Sequence, residues 1–288
     1  MSEQLKPIHV WTPGIRDDTG GIQAFSRYFV KALLEEFPER KFRVFVRNER
    51  LSADDPLREC ERLVVHSYAN VPVPVRSHVM AGSASLHGWE EKPSCILSTH
   101  LHFLPALRML RGVTGIPYAG VLHGIEAWRI RSGLRAASMR QADRLLAVSQ
   151  FTRDHVVQKY GIDPDRISVF ANTYDAERFI PGPKPPHLLE KYGLRPDQPV
   201  LLTVSRLALS ERYKGHWQVL IALKHLRQRM PDIHYARRDS QIILHTGFRT
   251  KMGIDLCCIC ISASTDVHSA NSPSGFAFCE CPVLELRN

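Results

Sequence analysis

Through residue 172 the apolar positions fall into two alternating kinds of segment. Short, nearly unbroken runs predict strands at Ile8–Trp11, Phe42–Val46, Leu63–His66, Cys95–Ser98, Tyr118–Leu122, Arg144–Val148 and Ile167–Phe170. Between them stand stretches with helical spacing. Ile22, Phe25, Phe29, Leu33 and Phe37 recur every three or four residues and predict one apolar stripe, with Gln23, Arg27, Lys31 and Glu35 opposite. Phe103 to Leu110 and Thr152 to Tyr160 read as further helices. Strands separated by helices predict a parallel sheet covered on both faces, whose strands are apolar throughout because neither face meets water.

The pattern changes after residue 174. Pro181, Pro183, Pro185, Pro186 and Pro196 mark 175–198 as a stiff connector. A second strand-and-helix start follows, with Val200–Val204 and then an amphipathic helix around Trp217, Leu220, Ile221 and Met230. From about Ala236 the alternation is expected to fail, with Arg237-Arg238-Asp239-Ser240 standing where a second strand should run. The expected organisation is therefore an N-terminal domain over 1–174, a linker over 175–198, the start of a second domain over 199–235 and an atypical tail over 236–288.

Length and composition narrow the class. A chain of 288 residues, 44% hydrophobic and 23% charged, has the balance of a globular protein with room for two domains. No apolar run approaches the roughly 20 residues of a membrane span. Met1 to Lys6 has no apolar run behind it, so the expected location is cytoplasmic. The 38 Lys and Arg against 29 Asp and Glu leave a formal charge of +9, which favours anionic partners. That charge is scattered and never forms the block typical of a nucleic-acid arm. Five of the seven cysteines, Cys257, Cys258, Cys260, Cys279 and Cys281, crowd the tail. Two readings of the tail stay open: a thiolate metal knuckle, or a segment that does not continue the fold.

Three places carry candidate chemistry. Gly20 and Gly21 stand at a strand–helix junction, where glycine admits a close ligand and helix amides meet an anion such as a diphosphate. His123 follows the strand Tyr118–Leu122, and His100 and His102 follow Cys95–Ser98. All three are expected at the carboxyl edge of the sheet, where ligands collect. Arg206 ends the Val200–Val204 strand, and Lys214 precedes the next helix. A guanidinium and an ammonium there suit a diphosphate by charge and fork geometry. Each of these features also has a purely structural reading.

In order along the chain, Gly20-Gly21-Ile22, Leu122-His123-Gly124, Ala142 to Ser149 with Thr152, Asn172 through Arg178-Phe179-Ile180-Pro181, and Ser205-Arg206-Leu207 with Tyr213-Lys214-Gly215 together resemble the retaining glycosyltransferases of the group 1, or family 4, type. The resemblance covers about residues 7 to 235. It implies an α/β, GT-B-like fold of two Rossmann-like domains, here with a complete N-terminal domain and an incomplete second one. It implies transfer of a sugar from a nucleotide-sugar donor (UDP-, GDP- or ADP-linked) to the hydroxyl of a sugar or lipid-linked acceptor. That transfer retains configuration and needs neither metal nor cofactor, and polysaccharide or glycoconjugate biosynthesis is the implied setting. His123 would position a hydroxyl of the transferred sugar. Gly20 and Gly21 would lie by the donor phosphates. Arg206 and Lys214 would hold the diphosphate and stabilise the departing charge, with His100 and His102 on the acceptor side.

The resemblance breaks in the second domain. The family's two glutamates, seven residues apart after a Gly-Phe-Gly-like loop, have only a faint echo in Ser274-Gly275-Phe276 and Glu280 to Glu285, where four residues intervene. A truncated donor domain, and with it a loss of activity, is therefore an expectation. Two alternatives stand beside it. One is a non-catalytic basic module docking on an anionic membrane face or a partner transferase. The other is a different GT-B enzyme, such as a nucleotide-sugar epimerase.

Overall fold

Every residue of β1 (Ile8–Thr12) is buried, and its side chains enter two different cores. Ile8 and Val10 join Val44 of β2 (Phe42–Val46) and Val30 and Leu34 of α1 (Gly21–Glu36). Trp11 joins Phe45 of β2, Met80 and Ala84 of α2 (Val73–Glu91), and Leu104 and Leu107 of α3 (Leu104–Thr114). Helices therefore cover both faces of the sheet, as the unbroken apolar runs require. The computed structural model describes residues 5–16, 20–130, 133–174, 176, 180–204 and 215–238, and beyond these the short strands 248–249, 255–256, 270–271, 277–278 and 286–287.

The chain divides into two compact units, Met1–Tyr174 and Asp175–Asn288. The first holds one sheet completed by β3 (Leu63–Ser67), β4 (Cys95–Ser98), β5 (Tyr118–Leu122), β6 (Arg144–Ala147) and β7 (Ile167–Val169). Its order is β3-β2-β1-β4-β5-β6-β7, parallel throughout. The predicted strands match these within one residue at each end. Strand order reverses between β1 and β4, which makes the carboxyl ends of those strands the switch point where doubly wound sheets bind ligands. Three helices follow α3 in this unit: α4 (Ile125–Trp128), α5 (Leu134–Gln141) and α6 (Gln150–Tyr160).

Two helices depart from the sequence pattern. Phe37, expected on the apolar stripe, falls just past the end of α1 and is 43% exposed, whereas Arg27, expected on the solvent face, is only 8% exposed. Its guanidinium grips both oxygens of Asp55, at 2.7 and 3.1 Å. Asp55 also caps the short 3-10 turn Pro56–Arg58 by accepting from the Leu57 amide at 3.0 Å. One carboxylate thus fixes both the turn and the helix. The hydrophobic pattern does not distinguish α2, because Val75, Val79, Leu86 and Trp89 stand on its solvent side, while its buried line is Met80, Ala84 and Gly88. A polar tie holds its last turn: His9 Nε2 donates to Glu91 at 2.8 Å and Arg43 Nε donates to the same oxygen at 2.9 Å.

In the second unit, β8 (Val200–Val204) pairs in parallel with β9 (His234–Arg238), Val200 opposite His234. Helix α8 (His216–Arg229) connects them, and Leu220, Leu223 and Tyr235 pack with Val200. The expected break at Ala236 is thereby corrected: the second strand does run, through Arg238, because His234, Tyr235 and Ala236 are buried beside β8. A helix that the proline-rich composition hid, α7 (Pro186–Tyr192), starts on Pro186 and ends at Gly193 (φ +59°). Proline fits there because the first helical turn leaves its amides unpaired. Trp217 and Ile221 on α8 are 53% and 45% exposed. The cysteine-rich stretch lies outside the described residues. No helix among the described residues is long and apolar enough to cross a membrane.

Candidate functional site

The carboxyl ends of β1, β4 and β5 lie side by side, and the loops leaving them are tied together by hydrogen bonds. After β1, Thr12 Oγ1 donates to the Gly14 carbonyl at 2.8 Å, and the amides of Ile15 and Arg16 both donate to Glu49 Oε2 at 3.0 Å. Gly14 admits that carboxylate: a Cβ on it would stand 2.5 Å from the Glu49 side chain. Residues 17–19 lie outside the described set. Gly20 and Gly21 follow as the exposed start of α1, where, among the described residues, no side chain caps the helix. The N-terminal half of α1 is anchored by Ser26, whose hydroxyl makes a 2.8 Å bond to Thr99 Oγ1 beyond β4.

His123 leaves β5 at the centre of this edge. Its Nε2 donates to the Thr99 carbonyl at 2.8 Å, and the Phe25 ring meets it edge-on at 4.8 Å. Burial lowers its pKa to about 4, against the smaller opposing effect of the Thr99 bond. The ring is therefore neutral at pH 7, with its proton on Nε2 and Nδ1 left as an acceptor. Such a group accepts a hydrogen bond from a hydroxyl and does not act as an acid. Its backbone is fixed from the other side, where the His123 amide donates to Glu126 Oε1 at 2.6 Å.

Gly124 makes this arrangement possible. It sits at φ +125°, ψ −109°, and a Cβ would press on the Trp128 ring at 3.3 Å. Gly124→Ala is expected to destabilise the N-terminal unit by about 1–3 kcal/mol, the range for strained backbone. A urea melt unchanged from that of the parent would contradict the assigned strain.

His100 joins His123 at this edge. Its pKa is likewise lowered to about 4, by burial first, with Glu126 acting the other way and His123 adding to the lowering. Its Nδ1 accepts from the His102 amide at 3.1 Å, which caps the 3-10 turn Leu101–Phe103. His102 is exposed and lies 3.3 Å from an Arg135 nitrogen through Nδ1. Burial and then Arg135 keep its pKa below the usual histidine value. The edge therefore gathers His100 and His123, while His102 serves the turn beside them. Arg206 and Lys214 lie outside the described residues.

Sequence spacing did not single out Thr99, Ser26, Glu126 or Phe25. Glu126, three residues beyond His123 at a glycine turn, carried a signal in the helix-start pattern. The other three are joined to His123 only by the sheet. Among the described residues no cluster of three His, Cys, Asp or Glu side chains is arranged to hold a metal ion.

Against known families, Glycosyltransferase Family 4 matches residues 26–178, just over half of the chain. The chain belongs to Glycosyltransferase Family 4. The match includes Ser26, Thr99, His100, His123 and Glu126 and stops short of Gly20, Gly21, Arg206 and Lys214. Among curated proteins, D-inositol 3-phosphate glycosyltransferase 2 of Catenulispora acidiphila is 34% identical over 113 residues. That alignment takes in 39% of this chain and 25% of the relative, so the chain spans about a quarter of it.

Solved structures extend the likeness of this family 4 chain beyond the first unit. A glycosyltransferase from Rickettsia africae superposes with a TM-score of 0.58 at 17% identity, over 81% of this chain and 60% of that one. HepE of Anabaena, solved with UDP-glucose, gives 0.54 at 16% identity over 81% and 61%. Such identities establish the fold, which is the expected α/β, GT-B-like class with a Rossmann-like N-terminal sheet.

Proposed function

We propose that this chain is a glycosyltransferase that moves a sugar from a nucleotide-sugar donor, a UDP-sugar, to an acceptor hydroxyl with retention of configuration. The observation that carries the reading is His123. It is half-buried at the switch-point edge, neutral, locked by Thr99 and Glu126, and inside the segment that matches the family. A neutral imidazole with a free acceptor nitrogen can orient a sugar hydroxyl without being consumed in proton transfer. UDP as the nucleotide is supported by HepE, which was solved with UDP and with UDP-glucose. The acceptor in this reading is a saccharide or lipid-linked saccharide of polysaccharide or glycoconjugate synthesis. With a formal charge of +9, peripheral contact with an anionic inner membrane face belongs to the same reading.

Within this reading the amides at Gly20 and Gly21 face the donor phosphates, and Arg206 and Lys214 bind the diphosphate. As the bond to the sugar breaks, the nucleoside diphosphate gathers negative charge, and fixed cations lower that barrier. His100 and His102 belong to the acceptor side.

The test is calorimetric titration with UDP, GDP and ADP, followed by a radiolabelled UDP-sugar transfer assay. UDP is expected to bind, with affinity lost in Arg206→Ala. His123→Ala is expected to lower turnover by about a hundredfold or more, the scale of a lost transition-state contact, with UDP affinity unchanged. No binding of any nucleotide by the folded protein would refute the donor assignment. Unaltered turnover in His123→Ala would remove the role given to that ring.

A further inference from the structure

The opposite edge of the sheet, where β5, β6 and β7 begin, carries a pocket of about 610 Å³ lined by Arg111, Arg140, Gln141, Asp143, Arg144 and Arg166. The pocket opens widely to solvent, so its lining charge rather than its volume marks it. We infer that this pocket is an anion site for a phosphate-bearing ligand of diphosphate type, separate from the edge that holds His123.

The four guanidiniums of this pocket are held in different ways. Arg111, in the last turn of α3, pairs with Asp143 at 2.8 Å. Arg144 opens β6 and donates to the Asp165 carbonyl at 3.1 Å. Arg166 donates to the Ala142 carbonyl that closes α5. Arg140, in the last turn of α5, is exposed and makes no hydrogen bond or ion pair among the described residues. Two of the anchors are therefore neutral carbonyls, which orient a cation without cancelling its charge.

The one lining carboxylate, Asp143, is already divided between Arg111 and the Tyr118 amide, at 2.8 and 3.0 Å. In the adjacent 3-10 turn, Asp163 is occupied in accepting from the Asp165 amide at 2.9 Å.

A structural explanation accounts for only part of this charge. Arg111 and Arg140 sit in the last turns of α3 and α5, where cations offset the helix dipole. Each helix end is equivalent to roughly half a negative charge, so two ends neutralise about one cation. Among the lining groups, four arginines less one aspartate and those two ends still leave about two positive charges. Planar forks of this kind pair with phosphate oxygens two bonds at a time and present more donors than a single carboxylate accepts. The phosphate can be free or carried on a lipid headgroup, and the chemistry of recognition is the same.

The experiment titrates inorganic pyrophosphate into the full chain and into the double variant Arg140→Ala/Arg144→Gln, at low and at threefold higher salt. The expected result is saturable binding that weakens with salt and falls at least tenfold in the variant, while UDP affinity stays as in the parent. The UDP arm separates this site from the donor edge, so failure of the proposed transferase function leaves the pyrophosphate result standing.

Arg140→Ala alone, which removes no bond of the fold, serves if the double variant melts early, and a threefold or greater loss is then expected. Flotation with phosphatidylcholine vesicles containing phosphatidic acid distinguishes the sources. Recruitment that pyrophosphate reverses places the phosphate on a lipid, and pyrophosphate binding without recruitment makes it soluble. Pyrophosphate that does not bind, or binds the variants as tightly as the parent, overturns the inference.

Discussion

Between pH 6.5 and pH 4 the N-terminal unit is expected to lose most of its stability, taking up nearly three protons as it unfolds. His9, His100 and His123 each have a pKa lowered from 6.5 to about 4, and burial is the largest cause in all three. For His9, burial outweighs the opposing pull of Glu91, and among the described residues its Nδ1 has no hydrogen-bond partner that a second proton could be donated to. In the unfolded chain these rings return to about 6.5. Within that window the unfolded state binds more protons, so stability rises with pH. The contribution is fully present above about pH 6.5 and disappears as pH falls through the folded values near 4.

At pH 5 the three rings together give a slope of about 3–4 kcal/mol per pH unit, large against the roughly 5–15 kcal/mol that holds a domain folded. The check is the urea midpoint at pH 7.5, 6 and 5. His100→Asn keeps an acceptor for the His102 amide and is expected to reduce the slope by about one proton. Equal midpoints at pH 7.5 and pH 5 would contradict the burial of all three rings.

The second large effect is expected at Asp55. Asp55→Ala leaves the Arg27 guanidinium, whose side chain is 10% exposed, without its bidentate partner. Removing one member of a buried pair costs about 3–5 kcal/mol, because the other charge stays desolvated. Arg27→Met with Asp55→Leu removes both charges and is expected to recover most of that loss. Urea denaturation of the parent, the single and the double variant measures it. A single variant within 1 kcal/mol of the parent would mean the pair behaves as a surface contact. The pair also has a pH signature. Burial pushes the Asp55 pKa up, yet the bond from Arg27 and the Leu57 amide hold it below the usual carboxylate value. Its contribution is present above about pH 4 and declines as pH falls below that.

These effects show where sequence reading reaches and where it stops. The strands of the first sheet were legible because a parallel strand buried on both faces needs an unbroken apolar run, and such runs stand out from their surroundings. Helix α2 was not legible. Its solvent side carries Val75, Val79, Leu86 and Trp89, so its two faces do not differ in polarity. Helical spacing knows only its own helix and so places Arg27 in water, while its partner Asp55 comes from a turn 28 residues on. The strand at His234–Arg238 was hidden by two arginines at its end, although burial of the three residues before them decides the matter.

The candidate site divides along the same line. The sequence by itself determined that His100 and His123 end strands and that Gly20 and Gly21 open a helix, since these depend on local spacing and turn chemistry. It also determined a basic chain whose positive charge is scattered and forms no long block. Only the tertiary structure decided that His123 locks onto Thr99, that burial holds it neutral, and that Arg111, Arg140, Arg144 and Arg166 share one pocket. The physical reason is common to all three. A parallel sheet stacks the ends of strands separated by whole helices, so the neighbours that set charge state and field lie far apart along the chain.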